Sequence, residues 1–259
     1  MTASAKRGAA YALLALSVYL GFLLVTLPAS VLSWTLARFS TGTIVLEQPR
    51  GTVWSGTGVL RLASPPMAPT VRWEILPSRL LRAALAVHIE AQNDHTRLQT
   101  ELRRDLGGWS AHDLRAALPA ELVPTLLPAA RLLSPQGDIR VTADTLRFEP
   151  GTVNGTAEVV WANAGTQMMN LQVLGQYRVA LEGRGPEIRI RANTESGDLD
   201  ITAEGVWKAF GDGSLHVQGT ASARGRQQEL EPLLRMIGPP RPDGARSFNV
   251  RAQLPVLPH

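Results

Sequence analysis

The chain of 259 residues contains no cysteine. That excludes disulfides, thiolate nucleophiles, iron–sulfur clusters and thiolate zinc sites together, and leaves packing and backbone pairing to hold the fold. It fits the cytoplasm and the periplasm equally well. Lysine is nearly missing too: of 26 basic residues only Lys6 and Lys208 are lysines, as the codon usage of a GC-rich bacterial genome would give. Aromatic residues make up 5% and charged residues 19%, against 44% hydrophobic, so the chain is neither a disordered tail nor a charged coiled coil. The formal charge of +4 is thinly spread. With Lys6 and Arg7 set aside, 24 bases face 22 acids, which gives no reason to expect a nucleic-acid groove.

The most informative absence is local. No charged residue lies between Arg7 and Arg38. A run of this length can cross about 30 Å of hydrocarbon, which takes about 20 residues. The alternative is a cleavable signal peptide with an exit at Ala29-Ser30 after Pro28, but such apolar cores are usually shorter, about 7–15 residues. Lys6 and Arg7 before the span favour a cytoplasmic N-terminus and an exported remainder. Trp34 would then lie at the far interface. The expected organisation is a cytoplasmic end at 1–9, a transmembrane anchor at 10–32, a linker at 33–42 and a periplasmic β-rich domain at 43–259.

From residue 43 the pattern has period two. Val71, Trp73 and Ile75 alternate with Arg72 and Glu74, and Val87, Ile89 and Ala91 with His88 and Glu90. The same holds at Ile139-Val141, Val159-Trp161, Tyr177-Val179-Leu181, Ile188-Ile190, Leu215-Val217 and Phe248-Val250. Each reads as a strand with one wet and one apolar face. Turn residues punctuate them at Asn93-Asp94, Gly107-Gly108, Pro150-Gly151 and Gly211-Asp212-Gly213. The predicted fold is mainly β: an N-terminal transmembrane helix, then a large, curved, mostly antiparallel meander of about a dozen strands. Short helices are predicted after Ser78, after Pro119 and over Gln227–Ile237, the last ended by Gly238. Three short helices cannot cover such a sheet. Its apolar face must meet another part of the sheet or remain an open trough. Two weak internal echoes, Thr156–Trp161 with Thr202–Trp207 and Gly137–Ala143 with Gly197–Ala203, leave duplication open.

No catalytic set stands out: there is no P-loop, dinucleotide fingerprint, His-Glu-x-x-His or nucleophile elbow. His88 and His216 fall on wet strand faces, and His95 and His112 in or near turns. Asp198 and Asp200 share a face but have no third ligand nearby. Asn154-Gly155-Thr156 reads as a hairpin turn. No enzyme, cofactor or metal is expected. Trp54, Trp73, Trp161, Tyr177 and Trp207 are the candidates for the apolar face, as core or as groove lining.

Several motifs in order carry a resemblance. Arg50-Gly51-Thr52-Val53-Trp54-Ser55-Gly56 follows the apolar span, then Arg72-Trp73, the Pro77-Ser78-Arg79-Leu80-Leu81 stretch, Leu118-Pro119, Pro135-Gln136-Gly137, Trp161, Leu174-Gly175-Gln176-Tyr177, Leu233-Leu234 and Asp243-Gly244. This series resembles the type II secretion system protein N family over essentially the whole chain. The most distinctive part is Gly51, Thr52, Val53, Trp54 and Gly56, where the two glycines would permit a tight turn or bulge bracketing a buried indole. The resemblance implies a non-catalytic accessory component of the inner membrane, with its domain in the periplasm. It also implies contacts with other apparatus proteins such as the secretin. Similarity to AsmA-like proteins implies the alternative, a lipid-binding or lipid-transfer module with a hydrophobic groove.

Overall fold

The computed structural model describes residues 13, 15–16, 18–39, 44–62, 68–76, 84–126, 134–166, 171–254 and 256. Thirteen strands form one open sheet in strict sequence order, each antiparallel to the next. They are β1 (Ile44–Gly51), β2 (Ser55–Leu62), β3 (Thr70–Ile75), β4 (Leu85–Gln92), β5 (Arg97–Arg104), β6 (Trp109–Pro119) and β7 (Pro135–Glu149). There follow β8 (Thr152–Thr166), β9 (Leu171–Gly185), β10 (Glu187–Gly197), β11 (Leu199–Trp207), β12 (Ser214–Ala223) and β13 (Arg246–Gln253). A meander is what period-two runs joined by short turns favour, because each strand pairs with the one just made.

The alternation holds across the whole sheet. One apolar row runs through direct partners on eleven strands: Val71, Ala91, Leu98, Ala116, Val141, Val159, Val179, Ala192, Ala203, Gly219 and Phe248. The adjacent row on the other face reads Arg72, Glu90, Gln99, Arg115, Thr142, Glu158, Ala180, Arg191, Glu204, Gln218 and Asn249 through the same strands. A slip of one residue in any pair would exchange the two faces, so register is strongly specified. Bulges absorb the irregular positions. Asp113 (φ 50°), Asn163 (φ 51°) and Gly137 (φ 107°) lie at register shifts in the left-handed region, which short polar side chains and glycine tolerate.

The helices cover the two ends of this face. Helix α1 (Ser30–Phe39) packs on β1, and Ala29 and Leu32 join Leu46, Val71, Trp73 and Ala91 in one core cluster. Helix α3 (Gln227–Ile237) lays Leu230 and Leu234 on Leu174, Leu199 and Ala221 in a second. A 3-10 turn (Ala120–Leu122) leads into α2 (Val123–Leu126) and touches β7. Between the clusters Leu114, Val141, Val159, Val179 and Ile190 are only partly buried, and none belongs to either cluster. Alternate strands β8 and β10, and β9 and β11, approach within 8 Å, closer than the roughly 10 Å of a flat sheet, so the sheet bends there.

Some expectations are met, some are not, and some lie outside the described residues. Among the described residues, no helix is long and apolar enough to cross a membrane. Residues 18–25 are helical with exposed side chains, and most of the predicted anchor before them lies outside the described residues. The predicted boundary at 32–33 falls inside α1, which contains most of the supposed linker. The α3 prediction holds, with Gly238 following the last residue, and the chain is helical after Pro119. Most of the helix expected from Ser78 through Leu80, Leu81 and Leu85 lies outside the described residues, and Leu85 opens β4 instead. Asn154-Gly155-Thr156 is not a hairpin turn. Gly155 (φ 130°) sits inside β8, and the chain reverses at Pro150-Gly151. The two echoes map to strands three and four places apart, and in the first the segments run in opposite directions, so no single duplicated unit accounts for both.

Candidate functional site

The Gly51–Gly56 segment is the turn between β1 and β2, and it is where the apolar N-terminal segment meets the sheet. Thr52 Oγ1 accepts from the amides of Trp54 and Ser55, both at 3.2 Å, which folds the turn back on itself. Gly51 (φ 96°) pairs with Gly56, and a Cβ on Gly51 would fall 2.5 Å from the Ser55 carbonyl oxygen. A Cβ on Gly56 would lie 2.5 Å from Cζ2 of Trp73. The indole packed against Gly56 is therefore Trp73, not Trp54. Trp73 is 6% exposed, and its Nε1 points at the Val53 and Thr52 carbonyls, 3.1 and 3.3 Å away. Trp54 is half-buried and reaches the other way, donating from Nε1 to the Leu24 carbonyl at 2.8 Å.

Further bonds complete this junction. Val53 N donates to Leu27 O (2.8 Å), Ala29 N to Gly51 O (3.1 Å), and Ser33 Oγ to Leu46 O (2.7 Å). Pro28 bridges Thr52. Ala29, considered above as a signal-peptide exit, is 2% exposed against the sheet. No residue pattern points to Ser33 or to the Leu24 and Leu27 carbonyls. Backbone acceptors carry no residue-type signature, and Ser33 acts through a partner thirteen residues away.

The remaining apolar-face candidates lie elsewhere. Trp161 and Tyr177 are direct cross-strand partners with ring centroids 5.8 Å apart and planes tilted 46°. Trp161 is only half-buried, not fully shielded as its phase predicts, and donates to Gln136 O at 2.9 Å. Tyr177 is buried and donates from its hydroxyl to Leu199 O, two strands away, at 3.0 Å. Burial, with the charges of Asp200 and Asp198 nearby, pushes its phenol above the ordinary range. Trp207 stands apart on β11, with its Nε1 buried and no hydrogen-bond partner among the described residues. The sequence candidates thus form two groups and a single residue, not one pocket.

The polar face carries ion pairs across strands. Arg178 links Glu158 and Glu195, and Arg61 meets Glu47 at 2.8 Å. Gln176 and Arg178 together hold the Glu195 carboxyl below its ordinary range. Asp198 and Asp200 are engaged by Arg226 (2.6 Å) and Arg224 (2.8 Å), which explains their common face without a cation. Among the described residues no cluster of three potential metal ligands occurs. His88 meets Glu90 at 3.2 Å, and His112 meets Ser110 and Thr145 at a bulge. These contacts satisfy polar groups at the surface of a sheet.

Comparison with known proteins agrees with the motif series. No curated protein and no solved structure matches the chain. The family model for type II secretion system protein N matches residues 43–249, from just before β1 into β13. The match spans the sheet and its first turn, and this chain belongs to the type II secretion system protein N family.

Proposed function

We propose that this protein is a non-enzymatic scaffold of the type II secretion apparatus, held in the inner membrane by the apolar segment before Pro28, with its sheet in the periplasm. The full 10–32 span is not the anchor, since Ala29 and Leu32 pack on the sheet. The observation that carries the reading is the junction at the first turn. Hydrogen bonds from Trp54, Val53 and Ala29, with the Ser33 contact, fix the apolar segment to one end of the sheet. A sheet joined in this way has a defined orientation relative to its anchor, which a scaffold needs. Removal of residues 1–29 as a signal peptide would strip the buried Ala29 and its bond to Gly51 from the core, which supports a retained anchor over a cleaved one. Family membership points to other secretion-system proteins as partners, and the secretin is the partner we favour.

A reporter test decides the topology. Alkaline phosphatase fused after residue 60 should be active, and the intact protein should resist carbonate extraction. An inactive fusion, or a mature chain that starts near Ser30 and washes off membranes, overturns the anchor. Deletion of the protein should impair export of type II substrates.

One observation favours a second activity, the handling of lipid. The apolar face between the two helix-capped ends holds Val141, Val159 and Val179 partly exposed in a single row. Exposed contiguous apolar surface marks a contact with something apolar. Native mass spectrometry of the detergent-purified protein should show retained phospholipid, lost on Val159→Asp. A lipid-free protein removes this reading and leaves the scaffold intact.

A further inference from the structure

The two edges of the sheet are built differently. On β1 the Ser33 hydroxyl occupies the outward Leu46 carbonyl, Gln48 (φ 47°) bulges and Pro49 has no amide to offer. These are the usual ways of closing an edge to further pairing. The β13 edge lacks them. Leu254 N donates to Gly213 O at 2.9 Å, which sets the phase of the last pair. Phe248, Val250 and Ala252 therefore turn their amides and carbonyls toward β12, and Asn249, Arg251 and Gln253 turn theirs outward. The segment before β13 closes the edge at its start, where Pro240 bridges Arg246. Beyond Ser247 the outward backbone groups meet no backbone partner among the described residues.

The side chains of β13 describe what would fit. On the polar face three arginines find a carboxylate one strand away: Arg61 finds Glu47, Arg178 finds Glu158 and Arg224 finds Asp200. Arg251 faces His216 on β12, forms no ion pair among the described residues and lies on the outermost strand, so a carboxylate can approach it from the open side. On the other face Val250 is 48% exposed where the apolar row stops. A second copy fits poorly. Antiparallel self-pairing that engages all of Asn249, Arg251 and Gln253 would set Arg251 against Arg251.

We propose that the free edge of β13 docks an extended segment of another secretion-system protein, alternating apolar and polar residues, with an Asp or Glu opposite Arg251. Backbone hydrogen bonds supply the attachment and the Arg251 pair sets register. This deepens the scaffold reading and rests on it only for the identity of the partner.

The test uses the full chain in secreting cells, with a photo-crosslinking residue at Asn249. The expected adduct is a secretion-system protein, cross-linked within an extended acidic segment. Arg251→Pro removes an outward amide and leaves the bonds to β12, so it should cut the adduct at least tenfold without lowering the melting temperature. Arg251→Glu should cut it similarly, and a Lys at the partner's carboxylate should restore it. No adduct, an adduct with a second copy, or an adduct undiminished in both variants overturns the proposal. A charge-dependent adduct with a protein outside the secretion system keeps the edge pairing and overturns the scaffold. Export that depends on the protein while no adduct forms does the reverse.

Discussion

At Gly56 the difference between hydrogen and methyl decides whether the first turn closes. The Trp73 ring and the Arg50 carbonyl occupy the space of a side chain there. Gly56→Ala should cost about 1–3 kcal/mol by overpacking, and Trp73→Ala about 3–5 kcal/mol by loss of transfer energy plus a cavity; chemical denaturation measures both. Trp161 tests the open face. It is half-exposed, so Trp161→Ala should cost clearly less than Trp73→Ala, and a cost as large would mean that something packs over the face. Arg72→Ala, on the polar row, should stay within about 0.5 kcal/mol. The five motif residues were legible in the sequence, but their mutual roles were not. Which indole sits over Gly56 depends on β2 pairing with β3, a choice no local pattern encodes.

At the scale of elements, α3 and the β9–β10 pair give the clearest tests. Leu230 is fully buried between α3 and the sheet, so Leu230→Ala should cost about 2–5 kcal/mol. The amphipathic spacing of Leu230, Leu233 and Leu234 made this helix readable in the sequence. Glu195 shows a pH dependence. Its carboxyl titrates lower in the folded protein than in the unfolded chain because Gln176 and Arg178 bind the charged form. That stabilisation is present above the unfolded carboxylate range and is lost as pH falls through the depressed folded value. Glu195→Gln should therefore flatten the acid limb of the melting-temperature profile and leave its alkaline limb unchanged. An unaltered acid limb would show that the pair is too solvated to matter.

At the scale of the whole molecule, the sheet is nearly one-dimensional, because each strand packs chiefly on its two neighbours. Two separate clusters anchor its ends, one with Leu46 and Trp73 and the other with Leu199 and Leu230. Stability should then be local, as in repeat proteins. Hydrogen exchange on Leu46→Ala should show lost protection in β1–β4 and unchanged protection in β11–β13. A uniform loss along the sheet would mean that the ends are coupled through the apolar face.

The sequence by itself determined the strand faces, the meander and the β class. Alternation is a local property, and a one-residue slip anywhere would bury arginine and expose valine. It also determined α3 and most of the turns, through amphipathic spacing and glycine. The tertiary structure alone decided that α1 fills what reads as a linker, that Trp54 faces the apolar segment while Trp73 faces Gly56, and that the two sheet edges differ. Each of these depends on which backbone groups remain unpaired after thirteen strands have found their neighbours. That is a sum over long-range pairings, and neither residue type nor spacing records it.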